Sequence, residues 1–267
     1  MVGIVDLLRE PLLEGLDVDA PERLSVHRDI LDHKIILKNV FCEFHHEMMG
    51  LDKNYFNETI GLRVELGAGV SPIRDTFSDV LATDVVASDY LDRVIDAQGM
   101  DLKEASVRAF FGQNCFHHFP DPKLFFAELQ RTLVPGGGAV LIEPYYGPFA
   151  SFLFKRLFKT EGFDKKFPSW DVPSSGPMNG ANQALSYIVF KRDKGLFEKE
   201  FPDLEVVHSK PLTNYLRYLL SGGLNFRSLV PRFCEKPIKM LEFLFTPLSA
   251  LFALHHVIVI RRRKGAV

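Results

Sequence analysis

The run Val64-Glu65-Leu66-Gly67-Ala68-Gly69-Val70-Ser71 constrains this chain more than any other stretch. Residues 62–66 read as a short apolar strand, and the two glycines behind it read as a turn. Ser71 and Pro72 have the character of an N-cap and a first helical position, so the spacing predicts a helix from there. Strand, glycine turn and helix in quick succession open a βαβ unit. Glycines at such a turn let a ligand approach the backbone, and the N–H groups beyond it suit an anionic group. A dinucleotide fingerprint needs a third glycine three residues after Gly69. Pro72 stands there, which argues against a nicotinamide or flavin dinucleotide.

Further strand candidates follow at 79–86, 93–96, 106–111, 138–143, 204–208 and 256–260. Between 106–111 and 138–143, Asp121-Pro122 predicts a capped helix with Phe125, Phe126, Leu129 and Leu133 on its apolar side. Pro135-Gly136-Gly137 is expected to end it. Alternating strands and helices imply a doubly wound α/β fold, a mostly parallel sheet covered on both faces. Upstream, Leu37, Val40, Phe41, Phe44 and Met48 fall on one helical face. From Pro144 to Pro202 the rhythm breaks into an aromatic, Pro- and Gly-containing stretch that reads as a helix, an irregular loop and a second helix near 182–201. An irregular segment this long inside a domain is usually functional.

Composition removes several classes. The chain has 267 residues and a net charge of -2, so no basic field points to nucleic acid as a partner. Cys42, Cys115 and Cys234 are far apart and form no CxxC pair, which argues against a disulfide framework or a thiolate zinc site. The pairs His45-His46 and His255-His256 lack a completing ligand set, and no metal is expected. The segment 1–10 is interrupted by Asp6, Arg9 and Glu10 without a basic stretch ahead of it, so no secretory signal is expected, and the chain reads as cytoplasmic. Residues 240–260 are apolar enough to resemble a membrane span before Arg261-Arg262-Arg263-Lys264. Glu242, Pro247, His255, His256 and the β-branched run 257–260 favour a helix, a turn and a strand instead. The basic tail reads either as a solvated end or as a contact for anionic lipid. The 24 Phe concentrate after the middle of the chain, which implies an apolar pocket or an aromatic core.

Asp84 ends the second strand candidate, where a carboxylate can accept from ribose hydroxyls or cap the following turn. Asp96-Ala97 follows the third, where Asp96 can accept from an adenine amine with Ala97 leaving room, or be a surface residue. Together with Glu65-Leu66-Gly67-Ala68-Gly69, Thr83-Asp84, the run Gln113-Asn114-Cys115-Phe116-His117-His118 and Arg131-Thr132-Leu133-Val134-Pro135-Gly136-Gly137, these residues resemble the class I S-adenosylmethionine-dependent methyltransferases, specifically the type 11 group. The resemblance covers about residues 60–147. It implies a Rossmann-like seven-stranded, mostly parallel sheet with one antiparallel strand near its edge, and S-adenosylmethionine as cofactor with S-adenosylhomocysteine as product. Glu65, Gly67, Ala68 and Gly69 would hold the methionine end, Asp84 and Val85 the ribose, and Asp96 and Ala97 the adenine. Asn114 and Cys115 would offer backbone groups beside the methionine. The fourth strand reads Ser106-Val107-Arg108 where the group often has S-x-D, and Arg108 is expected at the far end of the sheet. The implied organisation is an N-terminal helical cap (1–58), a cofactor-binding core (59–147), an aromatic lid insertion (148–202) and C-terminal strands and helix completing the core (203–267).

Methyl transfer from an activated donor needs positioning above all. His117, His118 and Glu143 lie near strand ends and are candidate bases, with Tyr146 beside Tyr145 at the rim. The plainer reading makes the histidines packing residues and the tyrosines an aromatic lid. A cation for the cofactor carboxylate is sought among Arg28, Lys34 and Arg74. The expected activity is methylation of an oxygen, nitrogen or carbon of a small molecule, apolar, lipid or sugar-linked, in a pocket under the aromatic insertion. The rivals are a non-catalytic binder of the cofactor, a nicotinamide oxidoreductase, and the same enzyme working at a membrane surface.

Overall fold

The computed structural model describes residues 7–265 apart from 18, 21, 158–160, 174–175 and 177–179. Part of the N-terminal segment read for a secretory signal therefore lies outside the described residues. Apolar side chains on both faces drive a central sheet of β1 (Leu62–Leu66), β2 (Leu81–Asp84), β3 (Arg93–Val94), β4 (Val107–Gln113), β5 (Leu133–Pro144), β6 (Leu204–Pro211) and β7 (His255–Arg262). The order is β3-β2-β1-β4-β5-β7-β6. Pairs among β1 to β5 are parallel, while β7 runs antiparallel to both β5 and β6. This is the seven-stranded, doubly wound sheet expected, with one antiparallel strand next to its edge.

Helices α1 (Glu22–His33) and α2 (Ile35–Tyr55) precede the sheet, α3 (Pro122–Thr132) links β4 to β5, and α4 (Pro148–Leu157) follows β5. Then come α5 (Lys194–Glu200), α6 (Tyr215–Leu220) and α7 (Glu235–Leu244). Val40, Phe44 and Met48 of α2 pack with Phe111, Val140 and Val257 on one face of the sheet. Residues 35–55 are thus a helix packed on the sheet. On the other face Phe126 is wholly buried among Phe197, Phe201 and Trp170, at ring separations of 5.0, 5.1 and 6.2 Å. Truncating such a ring to Ala costs about 3–5 kcal/mol. The second half of the expected lid therefore belongs to an aromatic core.

Two local expectations change. Beyond Ser71-Pro72 the chain makes only a 3₁₀ turn, Ile73–Asp75, with Pro72 extended as its cap. Thr76 and Ser78 are weak helix formers, and the chain must reach β2 by Leu81. Pro135-Gly136-Gly137 does not end α3, which stops at Thr132, but lies within β5. Pairing with β4 jumps from Val107↔Leu133 to Ala109↔Gly138, so these residues bulge out of the ladder. A side chain at Gly138 would meet the Ile260 carbonyl at 2.1 Å. The Asp121 side chain caps α3 by accepting from the Lys123 N–H at 2.9 Å, as read.

The apolar run at 240–260 is a helix end, a turn and a strand, and among the described residues no helix is long and apolar enough to cross a membrane. The basic tail is tied to the protein: Arg261 and Arg263 bind Glu205, Arg262 donates to the Leu133 carbonyl, and Lys264 pairs with Glu58.

Candidate active site

A cavity of about 1180 Å³ opens at the carboxyl ends of β1, β2, β4 and β5. It lies where the chain leaves β1 toward β2 on one side and β4 on the other, the switch point at which open α/β sheets bind ligands. Arg9, Leu13, Arg23 and His27 border it on one side, and Phe154, Leu157 and Glu161 on another.

The β1–β2 wall is built largely from backbone. Gly67 and Gly69 have φ of +62° and +53°, a region that costs residues with a Cβ. A Cβ on Gly67 would also stand 2.6 Å from that of Cys115. Asp84 Oδ2 accepts the Gly69 N–H at 3.0 Å, and Oδ1 accepts the Val86 N–H at 3.0 Å. The carboxylate caps its own turn and still faces the cavity, where its remaining lone pairs can accept hydroxyl groups. Glu65 is buried, and its Oε2 accepts the Ile73 N–H at 2.7 Å. Burial pushes its pKa up to about 8, against the backbone hydrogen bond from Ile73. Ala68, Val85, Asp96 and Ala97 line the same wall, Ala97 buried and Asp96 exposed.

The β4–β5 wall is different. Asn114 takes a positive φ of 52°, rare for a non-glycine residue and a mark of a constrained site. Its Oδ1 is buried with no hydrogen-bond partner among the described residues. Cys115 is buried, and burial drives its thiol pKa well up, so it is a packing residue rather than a nucleophile. Glu143 is fully buried. Its Oε1 accepts the Cys115 and Phe116 N–H groups at 3.0 and 2.9 Å. Its Oε2 accepts the His117 N–H at 3.3 Å and faces His117 Nδ1 at 2.6 Å. Glu143 does not reach the cavity, so it is placed as an anchor for the histidine turn and not as a free base.

His117 Nε2 faces Glu161 at 3.6 Å. Burial disfavours the imidazolium, yet Glu143 and Glu161 together push its pKa up to about 9. His118 goes the other way: burial, then the charge of His117, lower it to about 3. Its Nδ1 has no partner among the described residues, and the ring lines the cavity. Ligand-type atoms of His117, His118 and Glu161 all lie within 4.8 Å of one another, a grouping the metal-free sequence reading did not anticipate. His117 also lies between the carboxylates of Glu143 and Glu161.

Tyr146 is not at the cavity. Pro144 ends β5, and the chain turns so that Tyr146 packs against Tyr145, Tyr187 and His256 at 4.7, 5.0 and 5.3 Å. None of the three proposed cations lines the cavity either. Arg28 pairs with Asp75 and lies 4.3 Å over the Tyr90 ring, Arg74 pairs with Asp92, and Lys34 donates to the Gly223 and Phe226 carbonyls. Arg9, Arg23, Arg156 and Arg227 do line it; of these, Arg23 has a charge that burial disfavours and that the nearby Asp84 and Asp19 favour. Arg23 and His27 lie one turn apart on α1 and both face the cavity, a spacing the sequence contained. Glu161 carried no such signal. Arg108 lies at the far end of β4, bonded to Asp52, as expected.

Residues 65–141 match the family described as a methyltransferase domain. That segment runs from β1 into β5 and carries the glycine turn, Asp84 and His117, so the resemblance to class I methyltransferases holds for it. Among solved structures, geranyl diphosphate C-methyltransferase from Streptomyces coelicolor A3(2) is 14% identical with a TM-score of 0.48, over 96% of this chain and 89% of that one. Phosphoethanolamine N-methyltransferase 2 from Haemonchus contortus is 11% identical with a TM-score of 0.44, over 82% of this chain and 52% of that one. The YcgJ protein from Bacillus subtilis is 13% identical with a TM-score of 0.46, over 83% and 100%. No curated protein sequence matches.

Proposed function

We propose that the chain binds S-adenosylmethionine against the β1–β2 wall and transfers its methyl group to a small-molecule acceptor in the same cavity. The observation that carries this reading is the pairing of two positive-φ glycines after β1 with Asp84 at the end of β2, both facing one cavity at the switch point. The residues present fit the group. Glu65, buried and short of a counter-charge, suits an ammonium. Arg23 suits a carboxylate, Asp84 the ribose hydroxyls, and the unpartnered Asn114 Oδ1 can take one more donor. Gly67, Ala68 and Gly69 allow close approach at the methionine end, with Cys115 packed behind. Val85 would flank the ribose, and Asp96 and Ala97 the adenine. The cavity exceeds the roughly 300–1,000 Å³ of a single small-ligand pocket, which leaves room for a second reactant.

When bound, this cofactor supplies a methyl group already activated by its positive sulfur. The chain's own share is placement and exclusion of water. His117 is protonated near neutral pH and held by Glu143, so it orients and does not abstract a proton. His118 is neutral, and its Nδ1 can accept a hydrogen bond from an acceptor O–H or N–H. A group with a pKa near 3 is a weak base, so this contact positions the acceptor. Phe154 and Leu157 of α4 give the acceptor side an apolar lining. Tyr146, away from the cavity, takes no part.

Calorimetric titration with S-adenosylmethionine, S-adenosylhomocysteine and NAD tests the reading. Dissociation constants of about micromolar for the first two, with none for NAD, support it. Binding of NAD alone would overturn it in favour of a nicotinamide oxidoreductase.

A further inference from the structure

α7 turns one side inward and leaves the other without a partner. Ile238 and Glu242 are buried, Glu242 in an ion pair with Arg217 at 2.6 Å. Met240, Phe243 and Leu244, at i, i+3 and i+4, are 62%, 78% and 61% exposed. Phe233, two turns ahead, is 80% exposed, and Leu248 and Leu251 carry the surface past the helix end. Phe252 meets Phe149 of α4 edge-on at 5.7 Å, and α4 adds the exposed Phe152. A continuous apolar surface of this kind on a folded domain marks an interaction site.

The charges around it are one-sided. Arg232 and Lys236 are exposed beside the apolar residues, and Arg156 lies 4.4 Å over the Phe152 ring. The two acids between 229 and 252 both turn inward: Glu235 accepts from Asn39, and Glu242 holds Arg217. Large apolar side chains within a basic rim, with no exposed acid, are what an interfacial helix offers to a leaflet of anionic lipid. Behind this face, an apolar cavity of about 110 Å³ lies between Leu153, Leu219, Leu229 and Leu254. It shares Phe154, Leu157 and Tyr218 with the wall of the main cavity.

We infer that the α7–α4 face docks on an anionic lipid surface, with Phe243 and Leu244 entering the leaflet and Arg232 and Lys236 meeting its headgroups. This is a different surface from the basic C-terminal tail, and it does not depend on the methyl-transfer reading.

The test is co-sedimentation of the full chain with phosphatidylcholine vesicles, with and without phosphatidylserine. The wild type is expected to pellet with the phosphatidylserine vesicles at low salt and less so as salt rises. Phe243→Glu with Leu244→Glu should weaken that binding by about tenfold or more. Both positions are exposed, so the melting temperature and S-adenosylmethionine affinity of the variant should stay at the wild-type values. Three results would overturn the proposal: a wild type that pellets with neither vesicle, a variant that binds as well as the wild type, or a lipid-free dimer that the variant turns into a monomer. The last would give the face to a second copy of the chain.

Discussion

The two walls of the cavity are built by opposite means. On the β1–β2 side the key groups are backbone: glycines at φ of +62° and +53°, and N–H groups held by Asp84. On the β4–β5 side they are buried charges: Glu143 with four hydrogen-bond contacts, and His117 between two carboxylates. A wall shaped by backbone, even with the buried Glu65 in it, shows its loss first in binding. A wall of buried charge is a strained balance of desolvation against pairing, and its loss shows first in stability.

The sharpest way to break this contrast is at Gly67. Gly67→Val brings a Cβ to 2.6 Å from that of Cys115 and forces a β-branched residue into positive φ. S-adenosylmethionine affinity should fall about a hundredfold or more, measured by calorimetry. Next comes Glu143→Gln, which leaves the buried His117 short of its partner. It should lower unfolding free energy by about 3–5 kcal/mol, read by denaturant titration. The sign with pH follows from His117. Its pKa rises on folding from 6.5 to about 9, so its stabilisation is complete below 6.5 and lost as pH rises through 9. The variant, left with Glu161 alone, should show a smaller decline.

Glu65 has the same sign with pH from a different cause. Folding raises its pKa from 4.5 to about 8, chiefly by burial, so the folded chain keeps a proton that the unfolded chain has lost. Stability is given up as pH rises from 4.5 to 8. Glu65→Gln should stabilise the ligand-free protein by about 1–3 kcal/mol at alkaline pH while weakening cofactor binding, a split seen by thermal melts beside titrations. The smallest effect is expected at Arg23, which is partly exposed. Arg23→Ala should cost about threefold to tenfold in cofactor affinity with little change in melting temperature.

The walls also differ in how well the sequence reported them. The backbone wall was legible because its residues are local: strand, Gly67, Gly69 and then Asp84 follow one another along the chain. The charged wall was half legible. His117 and Glu143 could be named, but their roles depend on β4 and β5 lying side by side, and on Glu161 arriving from a segment with no motif. Arg23 was missed in favour of Arg28, Lys34 and Arg74 because only packing decides which side of α1 meets the cavity. The lid was over-drawn for a similar reason. Phe190, Phe197 and Phe201 look alike in sequence whether they line a pocket or, as here, cluster round Phe126. Pro135-Gly136-Gly137 looked like a helix stop, since a bulge between paired segments uses the same residues as a turn.

The most direct test sets Asp84→Ala beside Glu143→Gln, with S-adenosylmethionine affinity and melting temperature measured on both. The account predicts that Asp84→Ala loses most of its affinity and keeps most of its melting temperature. Glu143→Gln should lose melting temperature, while the fraction that remains folded binds nearly as well as wild type. Unchanged affinity in Asp84→Ala, with binding abolished in a fully folded Glu143→Gln, would contradict it.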